Sequence, residues 1–158
     1  MSPWRSGYGL LRRRGLRGRQ LMTGRYLLDA SALYPLVLRL RENLLGYSSL
    51  FVVLDLTVYE VGNVIWKEYL RGKIRDPVVV ANLFQEIFNI IPVLRLNANI
   101  HEVLGLAINE NLTFYDASYL YMARIHGAKL VTEDRDLQRF PESISVRQLL
   151  NELGLQPR

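Results

Sequence analysis

The segment LTFYDASYLYMARIHGAKLVTEDRDL, residues 112–137, holds a helix and then a strand, with one acid near the start of the helix and another just past the strand. Thr113 lies three residues before Asp116, a spacing that suits a capped helix start. The helix is expected over 113–126 and Gly127 stops it, because glycine takes the left-handed backbone that closes a helix. Asp116, Leu120, Ala123 and Gly127 fall on one helical row. That row is apolar or small below its acid, so it belongs against a sheet and leaves the acid partly buried. KLVT (129–132) reads as a short buried strand, Asp134 follows it, and DLQRF (136–140) makes a helical turn.

The same alternation runs upstream and downstream. RYLLD (25–29), FVVLD (51–55) and PVLRL (92–96) read as strands, and ISV (144–146) as a fifth. Helices are expected over 31–43, 57–73, 77–89, 98–109 and 147–153. Pro35 is tolerable only in the first turn of its helix, and Pro77 opens another. Val61, Val64, Ile65 and Tyr69 make an apolar face on the helix from Thr57 to Lys73, which Gly72 ends. Strands alternating with helices of this length give an α/β fold, a three-layer α/β/α sandwich around a central parallel sheet of four to five strands. Right-handed crossovers then put the strand C-termini on one edge, where ligands bind at the reversal of strand order.

At 158 residues, 49% apolar and 22% charged, the chain suits one domain with a buried core. No apolar run is as long as a membrane span, so no membrane partner is expected. Cysteine is absent, which excludes thiol chemistry and a disulfide framework and fits a cytoplasmic setting. The formal charge of +5 misleads. Residues 1–21 hold six of the 20 basic residues (Arg5, Arg12, Arg13, Arg14, Arg17 and Arg19) and no acid; the 14 that remain face 15 acids, a net of −1. The chain therefore divides into a basic, glycine-rich leader at 1–21 and one domain at 22–158. The leader is open to three readings: a disordered basic arm, a targeting piece, or a stretch ahead of a true start at Met22.

Four acids stand at element ends: Asp29, Glu60, Asp116 and Asp134. Each has a structural explanation. Asp29 and Ser31 suit a helix cap, Thr57 and Glu60 a capping box, Thr113 and Asp116 the same pattern, and Asp134 a cap for DLQRF. Taken together they suggest more. Carboxylates converging on one crevice raise one another's pKa unless a cation joins them. Lys67 and Arg135 are the nearby bases, and neither serves all four. A donor set of oxygens alone suits Mg²⁺ or Mn²⁺, one or two ions, rather than zinc. Such a site activates a water and neutralises charge on a phosphodiester.

The stretches YLLDASAL (26–33), EVGNVIWKE (60–68), LTFYDASYLYMAR (112–124) and GAKLVTEDRDL (127–137) resemble the PIN domain, in particular the VapC-type toxins of bacterial and archaeal toxin–antitoxin pairs. The resemblance covers about residues 25–146. It implies a Mg²⁺- or Mn²⁺-dependent endoribonuclease with Asp29, Glu60, Asp116 and Asp134 as metal-binding, catalytic acids. It also implies an RNA substrate, a small antitoxin partner and a homodimer. The alternative is a PIN-fold RNA-processing or RNA-binding protein with no antitoxin. Ser31 and Thr132 match as well and are expected to hydrogen-bond the acids or bound waters; Asn63, one turn after Glu60, is a further candidate. Asp136 is a peripheral acid or a solvated one, and Glu133 is expected to point away from the crevice. His101 and His126 sit on separate helices, which speaks against a two-histidine mechanism. Phe114, Tyr115, Tyr119 and Tyr121 are left between base stacking and packing in the core.

Overall fold

Tyr26, Leu27 and Leu28 form the central strand, and alternate side chains of this strand serve opposite layers. A computed structural model of the protein describes residues 25–97 and 99–155; the leader expected at 1–21 lies outside them. The elements run β1 (Tyr26–Leu28), α1 (Ala30–Leu40), a 3₁₀ stretch (Arg41–Leu50), β2 (Phe51–Leu54), α2 (Asp55–Leu70), α3 (Pro77–Ile90) and β3 (Val93–Leu94). They continue with α4 (Ile100–Glu110), α5 (Phe114–His126), β4 (Lys129–Val131), α6 (Arg135–Gln138), β5 (Ser143–Ile144) and α7 (Val146–Glu152).

All five strands are parallel in the order β3-β2-β1-β4-β5. Tyr26 lies opposite Phe51 and Leu28 opposite Val131, so β1 is paired on both edges. A strand buried on both faces needs side chains that fill both, and the alternation of the strands supplies them. Tyr26, Leu28, Phe51, Val53 and Val131 face a layer built by α1, α2, α3 and α7. Leu27, Val52, Leu54 and Leu130 face the layer of α4 and α5, where Val103, Leu120 and Ala123 are fully buried. The α/β/α sandwich expected from the strand–helix alternation is thus present, with five strands. Among the described residues no helix is long and apolar enough to cross a membrane.

Several local readings need correction. Pro35 is the sixth residue of α1, beyond the first turn. Its ring removes the bond that an N–H there would give to the Ser31 carbonyl. Burial of Ala32, Leu33, Leu36 and Val37 holds the helix regardless. The strand expected at 92–96 shrinks to Val93–Leu94, which among the described residues is an edge strand paired with β2. Asp55, read as the end of a strand, is the first residue of α2. Tyr69 is 47% exposed. Eight residues past Val61 a helix has turned roughly 80° off its starting face, so Tyr69 leaves the buried stripe that Val61 and Ile65 keep. The expected Thr57–Glu60 capping box does not form: Thr57 is the third residue of α2 and buried, and its Oγ1 accepts from the Leu54 N–H at 3.1 Å.

Candidate active site

Strand order reverses between β1 and β4, and the chain leaves both strands with an acid. Asp29 follows β1 directly, and its backbone N–H donates to the Val131 carbonyl at 3.2 Å. Asp134 follows β4 after Thr132 and Glu133. Asp116 sits in the first turn of α5 and Glu60 in the second turn of α2. A cleft of about 270 Å³ is lined by all four acids together with Ala30, Ser31, Asn63, Val64 and Tyr119. Residues drawn from β1–α1, α2, α5 and the β4–α6 turn, more than a hundred positions apart in sequence, thus share one crevice at the crossover point of the sheet.

The capping and crevice readings turn out not to exclude each other. Asp29 caps α1, its Oδ1 accepting from the Ala32 N–H at 2.9 Å. Asp134 caps α6, its Oδ1 accepting from the Asp136 N–H at 2.8 Å. Thr113 caps α5, accepting from the Asp116 N–H at 3.1 Å while its own hydroxyl donates to Asp116 Oδ2 at 2.6 Å. Helix N-termini carry partial positive charge, so a carboxylate at one is favoured and is also aimed at the crevice mouth.

Asp29 is the most enclosed of the four, at 4% exposure. The Ser31 hydroxyl donates to its Oδ1 at 2.6 Å and the Thr132 hydroxyl to its Oδ2 at 2.5 Å. Ser31 Oγ in turn accepts from the Glu133 N–H at 2.9 Å, and Thr132 Oγ1 from the Asp134 N–H at 3.0 Å. Two hydroxyls therefore tie the ends of β1 and β4 together across the reversal. Both residues are where the sequence placed them, touching an acid, although Thr132 does not line the cleft. Asn63 does line it. Asp136 is exposed and outside it, and Glu133 points away to accept from the Val146 N–H at 2.7 Å, starting α7.

The charges act on one another. Burial pushes the Asp29 carboxyl up from 3.8 to about 6; its hydrogen bonds oppose this and the charge of Asp134 adds to it. Burial also raises Glu60, opposed by the Tyr119 hydroxyl and the Ala30 N–H and assisted by Asp29 and Asp116. Asp116 is raised by burial, then by Asp134 and Asp136, against the Thr113 hydroxyl. The ion pairs formed among the described residues use Glu68, Glu142 and Glu152, and none includes a cleft acid.

Among the described residues, no three carboxyl or imidazole groups converge closely enough to hold a single ion in this conformation. The donor set still suits a hard cation. It is all oxygen, it is mutually repelling, and Mg²⁺ takes only one or two carboxylates while keeping several waters. A closed cage of the kind zinc prefers is absent from the cleft.

Tyr119 is one of the four aromatics that the sequence left ambiguous. It is 1% exposed, and its hydroxyl lies 2.7 Å from Glu60 Oε2 and 2.7 Å from Thr57 Oγ1. It stands three residues after Asp116 on the same helix face, which is the signal that could have placed it beside the acids.

A parallel sheet between two helical layers, with carboxylates gathered where its order reverses, defines an α/β protein with an acidic crevice. Residues 26–143 match the PIN domain model, and the chain belongs to the PIN domain family. It is 38% identical over 132 residues to Exonuclease VapC9 of Pyrobaculum aerophilum, spanning 83% of this chain and 97% of that protein. To Ribonuclease VapC3 of the same organism it is 33% identical over 96 residues, 58% of this chain and 72% of that one. The crystal structure of PAE2754 from Pyrobaculum aerophilum superposes with a TM-score of 0.79 at 36% identity, covering 90% of this chain and 98% of that chain. A chain of a toxin–antitoxin complex from Klebsiella pneumoniae shares the fold, with a TM-score of 0.55 at 17% identity over 77% of this chain and 97% of that chain.

Proposed function

We propose that the protein is a Mg²⁺- or Mn²⁺-dependent ribonuclease that cleaves RNA phosphodiester bonds and serves as the toxin of a toxin–antitoxin pair. The observation that carries this reading is the cleft itself: four carboxylates from four separate elements line it, and none has a cationic partner among the described residues. The names of the two Pyrobaculum aerophilum relatives, an exonuclease and a ribonuclease, support the chemistry. The resemblance to VapC-type toxins supports an antitoxin partner, a homodimer and a cytoplasmic place of action.

Asp29, Glu60, Asp116 and Asp134 would hold one or two ions. When bound, a divalent ion supplies an acidified water and neutralises charge developing on the phosphate oxygens. The chain's own residues do the rest. Ser31 and Thr132 lock Asp29 in one orientation by donating to both of its oxygens. Thr113 holds Asp116 by donating to one of its oxygens, Oδ2. Ala30 and Val64 add apolar lining to the cleft, and the Asn63 amide offers a neutral donor to a phosphate oxygen.

The test is cleavage of a labelled single-stranded RNA with Mn²⁺ and with EDTA, using Asp116→Asn as control. Mn²⁺-dependent cleavage by the wild type alone is expected; equal cleavage by the control would end the proposal. The reading is endonucleolytic, whereas the name of the VapC9 relative favours cutting from an end. A circular RNA separates the two, since only an endonuclease opens it.

A further inference from the structure

Behind Glu60 lies a buried chain of hydroxyls that none of the steps above uses. The Leu54 N–H reaches Thr57 Oγ1 at 3.1 Å, Thr57 Oγ1 lies 2.7 Å from the Tyr119 Oη, and the Tyr119 Oη lies 2.7 Å from Glu60 Oε2. Thr57 is fully buried and Tyr119 almost so. The protons can be placed by elimination. A backbone N–H only donates, so Thr57 accepts there and keeps its own proton for another partner. An ionised carboxylate only accepts, so the single proton of Tyr119 goes to Glu60. The Tyr119 oxygen must then accept from Thr57. Three donors line up in one direction, from the last residue of β2 to the carboxylate, and hydrogen bonds in such a series strengthen one another.

We propose that Thr57 and Tyr119 are positioning residues that fasten the Glu60 carboxylate to the end of β2, so that it meets a divalent cation in one fixed orientation. Glu60 is the one of the four acids that its own helix start does not hold, and beside Tyr119 the Ala30 N–H at the start of α1 is a second donor toward it. Asp29, Asp116 and Asp134 each receive bonds from their own helix start or its capping residue. Glu60 stands in the second turn of α2, carries one more side-chain torsion than an aspartate, and heads no helix. Anchoring from α5 supplies what a cap supplies elsewhere. The anchor also joins α2 to α5, the two helices that bring Glu60 and Asp116 to the cleft from opposite faces of the sheet.

The inference rests on Glu60 being a metal ligand, and the experiment separates the two ideas. Mn²⁺ alone is the probe, and its dissociation constant is read by calorimetry on the full chain. Tyr119→Phe and Thr57→Val should each weaken Mn²⁺ by about tenfold or more, the usual cost of losing a group that orients a ligand. Thr57→Ser, which keeps the hydroxyl, should stay close to wild type. In a Glu60→Ala background, Tyr119→Phe should change the constant little. Equal weakening in both backgrounds, or full affinity in Thr57→Val, would overturn the proposal. A second readout needs no metal: denaturant unfolding of Tyr119→Phe, Glu60→Ala and the double variant in EDTA. The unfolding constants should be non-additive by about fivefold or more, as for groups that share one hydrogen-bond network. Additive effects would overturn the relay itself. Failure of the wild type to bind Mn²⁺ with a non-additive cycle would instead overturn the metal reading of the cleft, and metal positioning with it.

Discussion

Replacing Asp29 with asparagine is expected to make the metal-free protein more stable at neutral pH and slightly less stable near pH 4. Burial raises this carboxyl from 3.8 to about 6. A raised folded-state value means that folding favours the protonated acid. The stabilisation from protonation is therefore complete below about 3.8 and is lost as the pH climbs through about 6. Each tenfold change in proton affinity is worth about 1.4 kcal/mol, so the rise amounts to roughly 3 kcal/mol. Asparagine keeps an oxygen for the Ala32 N–H and the Ser31 hydroxyl, but it turns an N–H₂ toward Thr132, whose hydroxyl must rotate from donor to acceptor. That rearrangement costs about 1 kcal/mol, leaving a net gain of about 2 kcal/mol at pH 7. In a domain of this size the gain corresponds to a rise in Tm of roughly 4–8 °C. Urea unfolding of both proteins in metal-free buffer at several values between pH 4 and pH 7 measures it. The difference between the two curves cancels the titrating groups that do not sense Asp29 and keeps Asp29 with the neighbours it acts on, Glu60 first. A variant that is less stable than the wild type by the same amount across the whole range would refute the reasoning. Asp29 would then be a helix cap whose charge the fold tolerates without cost.

Other consequences can be checked with standard assays. Millimolar Mn²⁺ should raise the Tm of the wild type, since a ligand at a hundred times its Kd adds about 2.7 kcal/mol; the rise should be smaller in Asp29→Asn, and an equal rise would place the ion elsewhere. Asp116→Asn should lose Mn²⁺-dependent RNA cleavage while keeping its circular dichroism spectrum, because relief of repulsion from Asp134 and Asp136 offsets the altered bond from Thr113. Mn²⁺ affinity should weaken as the pH drops below about 6, where Asp29 of the metal-free protein takes up its proton and the ion must displace it; an affinity that is flat from pH 7 to pH 5 would contradict the raised value. Gly127→Ala forces a side chain into a backbone with φ of +63° at the end of α5. It should cost about 1 kcal/mol of stability, and Mn²⁺ affinity should be unmoved.

The strand cores and the convergence of the acids were legible because both follow from simple periodicities. Buried parallel strands such as FVVL announce themselves, and an acid just past a strand end has one edge of the sheet to point to. Asp29 and Asp134 are of this kind. Thr57, Glu60 and Tyr119 were harder. Thr-x-x-Glu reads as a helix start, and only the tertiary contact with α5 shows that the helix begins two residues earlier, freeing Thr57 to turn inward. A tyrosine among four aromatics carries no mark of its hydrogen-bond partner. The shortening of the strand at 92–96 and the place of Pro35 inside α1 depend on what packs beside them, which local sequence does not contain. The separation of the carboxylates is likewise a matter of backbone placement to within an ångström or so, far finer than any residue pattern resolves.

Asp29 and Asp134 each begin a helix and face the crevice with the same carboxyl group. Removing either side chain altogether would unfasten a helix start together with the charge, so an alanine variant confounds lost chemistry with a loosened scaffold. Asparagine retains the oxygen that the backbone N–H groups require. Under the proposed nuclease reading, an inert but intact copy of this chain, for capturing an uncut substrate or a bound partner, is therefore to be sought with the amide at these two positions.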